Sequence, residues 1–150
     1  MLAREADDQD PELTSDERGR IDLVSKELCL WSLDAPLAAC FADDGTLEFP
    51  GGKGTGPAGV AEALTNGIAG DPARTFTRHH VTNPLIDVSG DGQSAGGRAY
   101  FSVYCNNGLD HVGTYNDQLC LTPQGWRFAS RQVRIDWQSP TSMSPPTTTR

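Results

Sequence analysis

The stretch Thr77-Arg78-His79-His80-Val81-Thr82-Asn83 decides how the rest of the chain is read. It holds two of the three histidines and reads as the opening of the middle strand of a curved sheet. Successive side chains of a strand point to opposite faces, so His79 and His80 cannot share a cavity. His79 goes with Val81, and His80 with Thr82. The apolar company places His79 on the concave side, where an imidazole can exchange protons near neutral pH. The other role open to it is a structural histidine held by a buried hydrogen bond.

C-terminal to this stretch the chain reads as strand and hairpin. Phe76–Val88 is a long strand in which Pro84, unable to donate to a ladder, marks a bulge or an edge. Ser89-Gly90-Asp91-Gly92 turns it into a second strand, Ser94–Cys105. Asn106-Asn107-Gly108 opens a loop reaching His111, followed by strand Gly113–Leu121, the turn Thr122-Pro123-Gln124-Gly125 and strand Trp126–Trp137.

N-terminal to it the pattern is helical. Ile21, Val24, Leu28 and Trp31 recur at helical spacing after a cap at Ser15 or Asp16. Asp34 can cap a second, short helix over Leu37–Ala42, with Pro36 in its first turn. Asp43-Asp44-Gly45 then turns into a short strand, Thr46–Phe49. A third helix starts at Pro57-Ala58 and buries Val60, Ala63, Leu64 and Ile68. Helices first and antiparallel hairpins afterwards predict an α+β fold, a cone-shaped sheet closed by three N-terminal helices around an apolar pocket.

The 150 residues fit one domain, residues 17–137, between an acidic arm (1–16) and a Pro/Ser/Thr-rich tail (138–150), both expected to be disordered. Residues 1–18 carry seven acids against two arginines, a net of −5 that leaves −3 of the chain's −8 for everything else. An acidic surface argues against nucleic acid as a partner. No stretch approaches the roughly 20 apolar residues of a membrane span, and the start lacks the pattern of a signal peptide. A cytoplasmic protein is expected.

Cys29, Cys40, Cys105 and Cys120 are scattered, without zinc-ligand spacing, and read as small core residues. No metal site is expected. Pro50-Gly51-Gly52-Lys53-Gly54-Thr55-Gly56 is rich in glycine, but Lys53 is misplaced for a phosphate-binding P-loop. It reads as a mobile rim loop.

The order of these elements resembles the SnoaL-like branch of the nuclear transport factor 2-like superfamily. The resemblance is carried by Cys40-Phe41-Ala42-Asp43-Asp44-Gly45 and the 77–83 stretch, then by Arg98-Ala99-Tyr100-Phe101-Ser102-Val103-Tyr104, Gly113-Thr114-Tyr115-Asn116-Asp117 and Gly125-Trp126-Arg127-Phe128-Ala129. That superfamily includes scytalone dehydratase, ketosteroid isomerase, limonene epoxide hydrolase, polyketide cyclases and bile-acid dehydratases. The resemblance implies that His79 is the catalytic histidine of the T-[RQ]-H strand. It also implies an aspartate partner from the end of the first helix. Within Trp31-Ser32-Leu33-Asp34-Ala35-Pro36 the only acid is Asp34, and no tyrosine stands in the first helix. Dimerisation through the sheet is a further implication.

The expected catalytic residues are therefore His79 with Asp34, or with Asp117 as the alternative acid. His111, in its loop at the mouth, reads as a solvated loop histidine, and the other role open to it is a second proton donor. Trp31, Phe49, Val81, Asn83, Phe101, Val103, Tyr115 and Leu119 are expected to line the pocket. The chemistry such parts support is cofactor-independent proton transfer on a small hydrophobic molecule: dehydration, isomerisation or cyclisation. Epoxide opening wants a water held between several acids and amides. The competing class is a non-catalytic protein of the same fold that binds a ligand or supports assembly.

Overall fold

The structure, a computed structural model, describes residues 37–68, 73–144 and 146. A 3₁₀ turn, Leu37–Cys40, leads into strand β1 (Phe41–Phe49), which turns back as β2 (Gly52–Thr55). Helix α1 (Gly56–Ile68) follows, and then four long strands: β3 (Thr77–Val88), β4 (Ser94–Cys105), β5 (Gly108–Thr122) and β6 (Gly125–Gln138). They form one six-stranded sheet in the order β2-β1-β6-β5-β4-β3, antiparallel throughout except where β1 runs parallel to β6.

The α+β layout and the four C-terminal strands match the sequence reading. Several details do not. The second helix expected over Leu37–Ala42 is a single 3₁₀ turn, and the strand begins at Phe41 rather than Thr46. Tertiary burial decides this. Phe41 is 2% exposed, with its ring 5.3 Å from that of Phe128, and burying such a side chain is worth about 2 kcal/mol. Asp43-Asp44-Gly45 is no turn but part of an irregularity that shifts the β1–β6 register between Phe41 and Thr46. Of the three expected helices only the third, α1, stands as an α-helix among the described residues. The first, with Trp31, and the linker with Asp34 lie outside the described residues, as does the acidic arm.

Among the described residues the 77–83 stretch opens an edge strand, not a middle one, because β3 pairs there with β4 alone. Pro84 fits that position. The β3–β4 ladder breaks between Thr82 and Leu85, and Asn83 adopts a positive φ of 52° there.

The glycine-rich segment is ordered by packing rather than left as a mobile rim. Pro50 and Gly51 (φ 111°) make a tight turn, and the following strand lies directly on α1. A Cβ on Gly54 would sit only 2.3 Å from the Gly59 carbonyl oxygen, so only glycine lets β2 approach the helix this closely. Between them lies an open groove of about 430 Å³ lined by residues such as Lys53, Glu62 and Asn66, apart from every expected site residue.

Two apolar clusters fill the sheet's covered face. One joins Phe41, Leu47, Val60, Leu119, Trp126 and Phe128, with Phe49 and Leu64 packed against it. The other joins Phe101, Val103, Cys105 and Tyr115, with Val81, Val133, Ile135 and Met143 at its border. Among the described residues no helix is long and apolar enough to cross a membrane.

Candidate active site

Cross-strand register brings the chemistry together at the second cluster. His79 lies opposite Val103, and Val103 lies opposite His111. One row across three strands thus carries two imidazoles on one face with a valine between them. The next row runs from Val81 through Phe101 to Gly113. Gly113 has no side chain to obstruct the Phe101 ring, which would lie 2.7 Å from a Cβ there. Phe101 stacks on Tyr115 (centroids 4.3 Å apart, planes at 14°) and meets His111 edge-on at 6.0 Å.

His79 is partly buried in this apolar setting. Burial, the neighbouring His111 and Arg74 together lower its pKa from 6.5 to about 4. The ring is therefore neutral at physiological pH and able to accept a proton. Burial, with the Asp117 charge adding and Arg131 opposing, pushes the Tyr115 phenol well above its ordinary range. It stays protonated and available as a donor.

His111 does not sit in a loop. The β4–β5 connection is a tight turn at Asn106-Asn107, and β5 already includes Gly108 to His111. The β4–β5 register shifts between Val103 and Tyr104, leaving Asp110 as an extra residue in β5. Such a bulge lets adjacent side chains meet, which regular alternation forbids. The Asp110 Oδ2 lies 2.7 Å from His111 Nδ1. Asp110 is fully buried, and it also accepts hydrogen bonds from Ser142 Oγ (2.7 Å), the Met143 backbone N–H (2.7 Å) and Asn107 Nδ2 (3.2 Å). Burial alone would raise its pKa. The bonds from His111, Met143, Ser142 and Asn107 outweigh this and hold the carboxyl ionised, well below the ordinary carboxylate range. Residues 139–144, expected to be unstructured, fold back onto Asp110 through these bonds and through Ser139 N–H to the Asp110 carbonyl.

Asp117 does not meet His79 as a partner. Both its oxygens are taken by Arg131, through Nε and Nη2 at 2.8 Å each, with both side chains 0% exposed. The guanidinium is sandwiched between the Tyr115 and Phe128 rings, at 4.3 and 4.2 Å. Gly97, opposite Asp117, leaves room for the pair.

A family model for the SnoaL-like domain matches residues 32–132. The chain belongs to the SnoaL-like family. Among solved structures, this SnoaL-like chain is similar to a single-residue variant of Rv3472, a protein of unknown function from Mycobacterium tuberculosis. The two share 30% identity over 81% of this chain and 72% of that one, with a TM-score of 0.63. A provisionally assigned scytalone dehydratase from Novosphingobium aromaticivorans shares the fold at 21% identity, TM-score 0.66, over 87% and 93% of the two chains. So does the hexachlorocyclohexane dehydrochlorinase LinA-type3 from Novosphingobium barchaimii LL02, at 19% identity, TM-score 0.64, over 87% and 96%. Compared with the curated proteins, the chain finds no match.

Of the residues expected from the sequence, the SnoaL-like sheet gathers His79, Val81, Phe101, Val103 and Tyr115 at one cluster. Leu119 and Phe49 belong to the other cluster, and Asn83 is exposed at the β3 bulge. Trp31 and Asp34 lie outside the described residues. Sequence reasoning missed the Asp110–His111 pair and the Asp117–Arg131 clamp. The second had a signal: Arg131 shares its strand face with Val133 and Ile135, and a charge on an apolar face needs an acid opposite it.

Proposed function

We propose that this chain is a cofactor-independent lyase, isomerase or cyclase that moves protons on a small hydrophobic substrate, with His79 as the base. The observation that carries this reading is a neutral imidazole, its pKa lowered to about 4, standing beside Phe101, Val81 and Val103. Such a ring removes a proton next to a carbonyl, and Tyr115, kept protonated by burial, is a donor for the developing oxyanion. Asp34 remains the proposed carboxylate partner of His79. Asp117 supports the floor of the site through Arg131. The dehydratase and the dehydrochlorinase among the structural neighbours favour elimination within this class. The exposed Tyr100, Tyr104 and Trp137 offer a surface for pairing two copies through the sheet.

The test is exchange of the α-protons of a tetralone in deuterium oxide, followed by NMR for the wild-type protein and His79→Ala. Loss of exchange by about 100-fold or more in the variant supports the reading. Tetralone binding without any exchange in the wild type replaces it with a non-catalytic binding protein.

A further inference from the structure

Among the described residues β2 ends the sheet, so one side of it has no neighbouring strand. The two-residue turn Pro50-Gly51 makes Phe49 and Gly52 the hydrogen-bonded pair that closes the hairpin, and such pairs alternate along an antiparallel ladder. Gly52 and Gly54 therefore spend their backbone groups on β1. Lys53 turns its N–H and C=O outward, and Thr55 its N–H. These groups border the open groove of about 430 Å³ between β2 and α1. Its opposite wall is Gly59, Glu62, Ala63 and Asn66, three and four residues apart, which form one stripe of the helix. The floor is made by small residues and the rim is polar.

An unpaired strand edge is a template for another extended chain, and charge selects which one. Lys53 stands opposite Glu48 in the β1–β2 ladder. Glu62 is exposed at the groove and makes no ion pair among the described residues. The acidic arm, with its net charge of −5 over residues 1–18, is repelled there. Thr147-Thr148-Thr149-Arg150 instead carries three β-branched side chains and a single charge, which is positive. That segment cannot reach the groove of its own molecule. Ser142 and Met143 are tied to Asp110 on β5. Asp110 lies three strand spacings from β2 and six residues along β5 from Asn116, whose row leads through Gln132 and Glu48 to Lys53. That separation is about 25 Å. The four residues from Met143 to Thr147 span at most about 14 Å.

We propose that the β2–α1 groove receives residues 147–150 of a second copy as an added strand, with Arg150 of that copy set against Glu62. The incoming backbone pairs with both outward groups of Lys53 and with the Thr55 N–H. Alternate side chains of the added strand fall over Gly59 and Ala63. Asn66, one helical turn beyond Glu62, offers its amide to the incoming chain. The contact is head-to-tail, joining the groove of one copy to the tail of the next. It is separate from pairing through Tyr100, Tyr104 and Trp137, which stand on β4 and β6.

The test titrates a synthetic peptide of residues 145–150 into the ¹⁵N-labelled full chain. The Lys53 and Thr55 amide resonances and the Asn66 side-chain amide should move together, while a peptide of residues 5–12 from the acidic arm leaves them in place. Glu62→Arg should weaken binding about 10-fold or more, and a peptide with glutamate in place of its arginine should bind that variant again. Self-association of the full chain, read by sedimentation over a concentration series, should show the same compensation. Glu62→Arg or Arg150→Glu alone lowers it, and the two together recover it. Unmoved β2 resonances, tighter binding of the arm peptide, or equal binding by the wild type and Glu62→Arg each overturn the proposal. The wild-type titration decides the matter even where a variant fails to fold.

Discussion

Arg131 grips Asp117 through two parallel hydrogen bonds of 2.8 Å, with neither side chain exposed to water. The two residues face each other across the β5–β6 ladder, and aromatic rings cover both faces of the guanidinium. Removing one partner strands a charge in a dry core. Asp117→Leu or Arg131→Met alone should cost about 3–5 kcal/mol of stability in urea denaturation. The double variant Asp117→Leu with Arg131→Met leaves no stranded charge and keeps the aromatic stack. It should recover most of that loss. Additive penalties in the double variant would show that the pair acts through something other than mutual charge compensation.

His79 makes stability depend on pH in a defined window. Its pKa falls from 6.5 in the unfolded chain to about 4 in the folded one, because burial, His111 and Arg74 disfavour the charged form. Between these values the unfolded chain binds the extra proton, so stability rises with pH from about 4 to 6.5 and is flat for this group above. The effect amounts to roughly 3 kcal/mol at most. Denaturation at a series of pH values should show this slope, and His79→Phe should remove it. The acid limb of any His79-dependent activity should likewise lie near the lower value rather than near 6.5.

The long strands were legible because turn chemistry brackets them: Ser89-Gly90-Asp91-Gly92 and Thr122-Pro123-Gln124-Gly125 stand where the structure places hairpins. The start of β1 was not, because the segment from Leu37 to Ala42 suits a helix locally and only contact with Phe128 makes Phe41 a strand residue. That His79 shares a face with Val81 was legible from alternation alone. His111 was hidden behind Asn106-Asn107-Gly108, which reads as a loop. A two-residue turn with Gly108 at a φ of 92° carries the strand straight through it. Neighbours such as Asp110 and His111 are not supposed to meet on a strand. Only the bulge joins them, and nothing local in the sequence announces a bulge.

Asp110 should prove the anchor of the C-terminal segment as well as of His111. Its carboxylate accepts from the Met143 N–H and from Ser142, while its own carbonyl accepts from Ser139. Asp110→Ala should destabilise the fold by about 2–4 kcal/mol, since several donors, most of them partly buried, lose their partner at once. Hydrogen exchange at the Met143 amide should accelerate more than exchange in the centre of β5. The native carboxyl titrates well below its ordinary value of 3.8, so its contribution is present above about pH 4 and is lost as the pH falls below that. That window lies under the one set by His79, and the two are separable in a single pH series. Unchanged Met143 exchange in Asp110→Ala would show that the segment is held by other contacts.

Gly54 sets the distance between β2 and α1, and the smallest side chain is enough to test it. A methyl group there would lie 2.3 Å from the Gly59 carbonyl oxygen and 2.7 Å from the Val60 Cα. Both neighbours are backbone in the first turns of a helix, so neither can yield by a simple rotation. Gly54→Ala must push α1 off the sheet and open the contacts that Val60 makes with the cluster around Phe41 and Leu47. Overpacking of this kind costs about 1–3 kcal/mol, and the melting temperature should drop accordingly. Gly90→Ala is the control, because a Cβ at that hairpin position meets nothing within 4 Å and the backbone there is not left-handed. It should leave stability within about 0.5 kcal/mol of the wild type. If both alanines prove equally harmless, the close approach of strand to helix is not what the glycine provides.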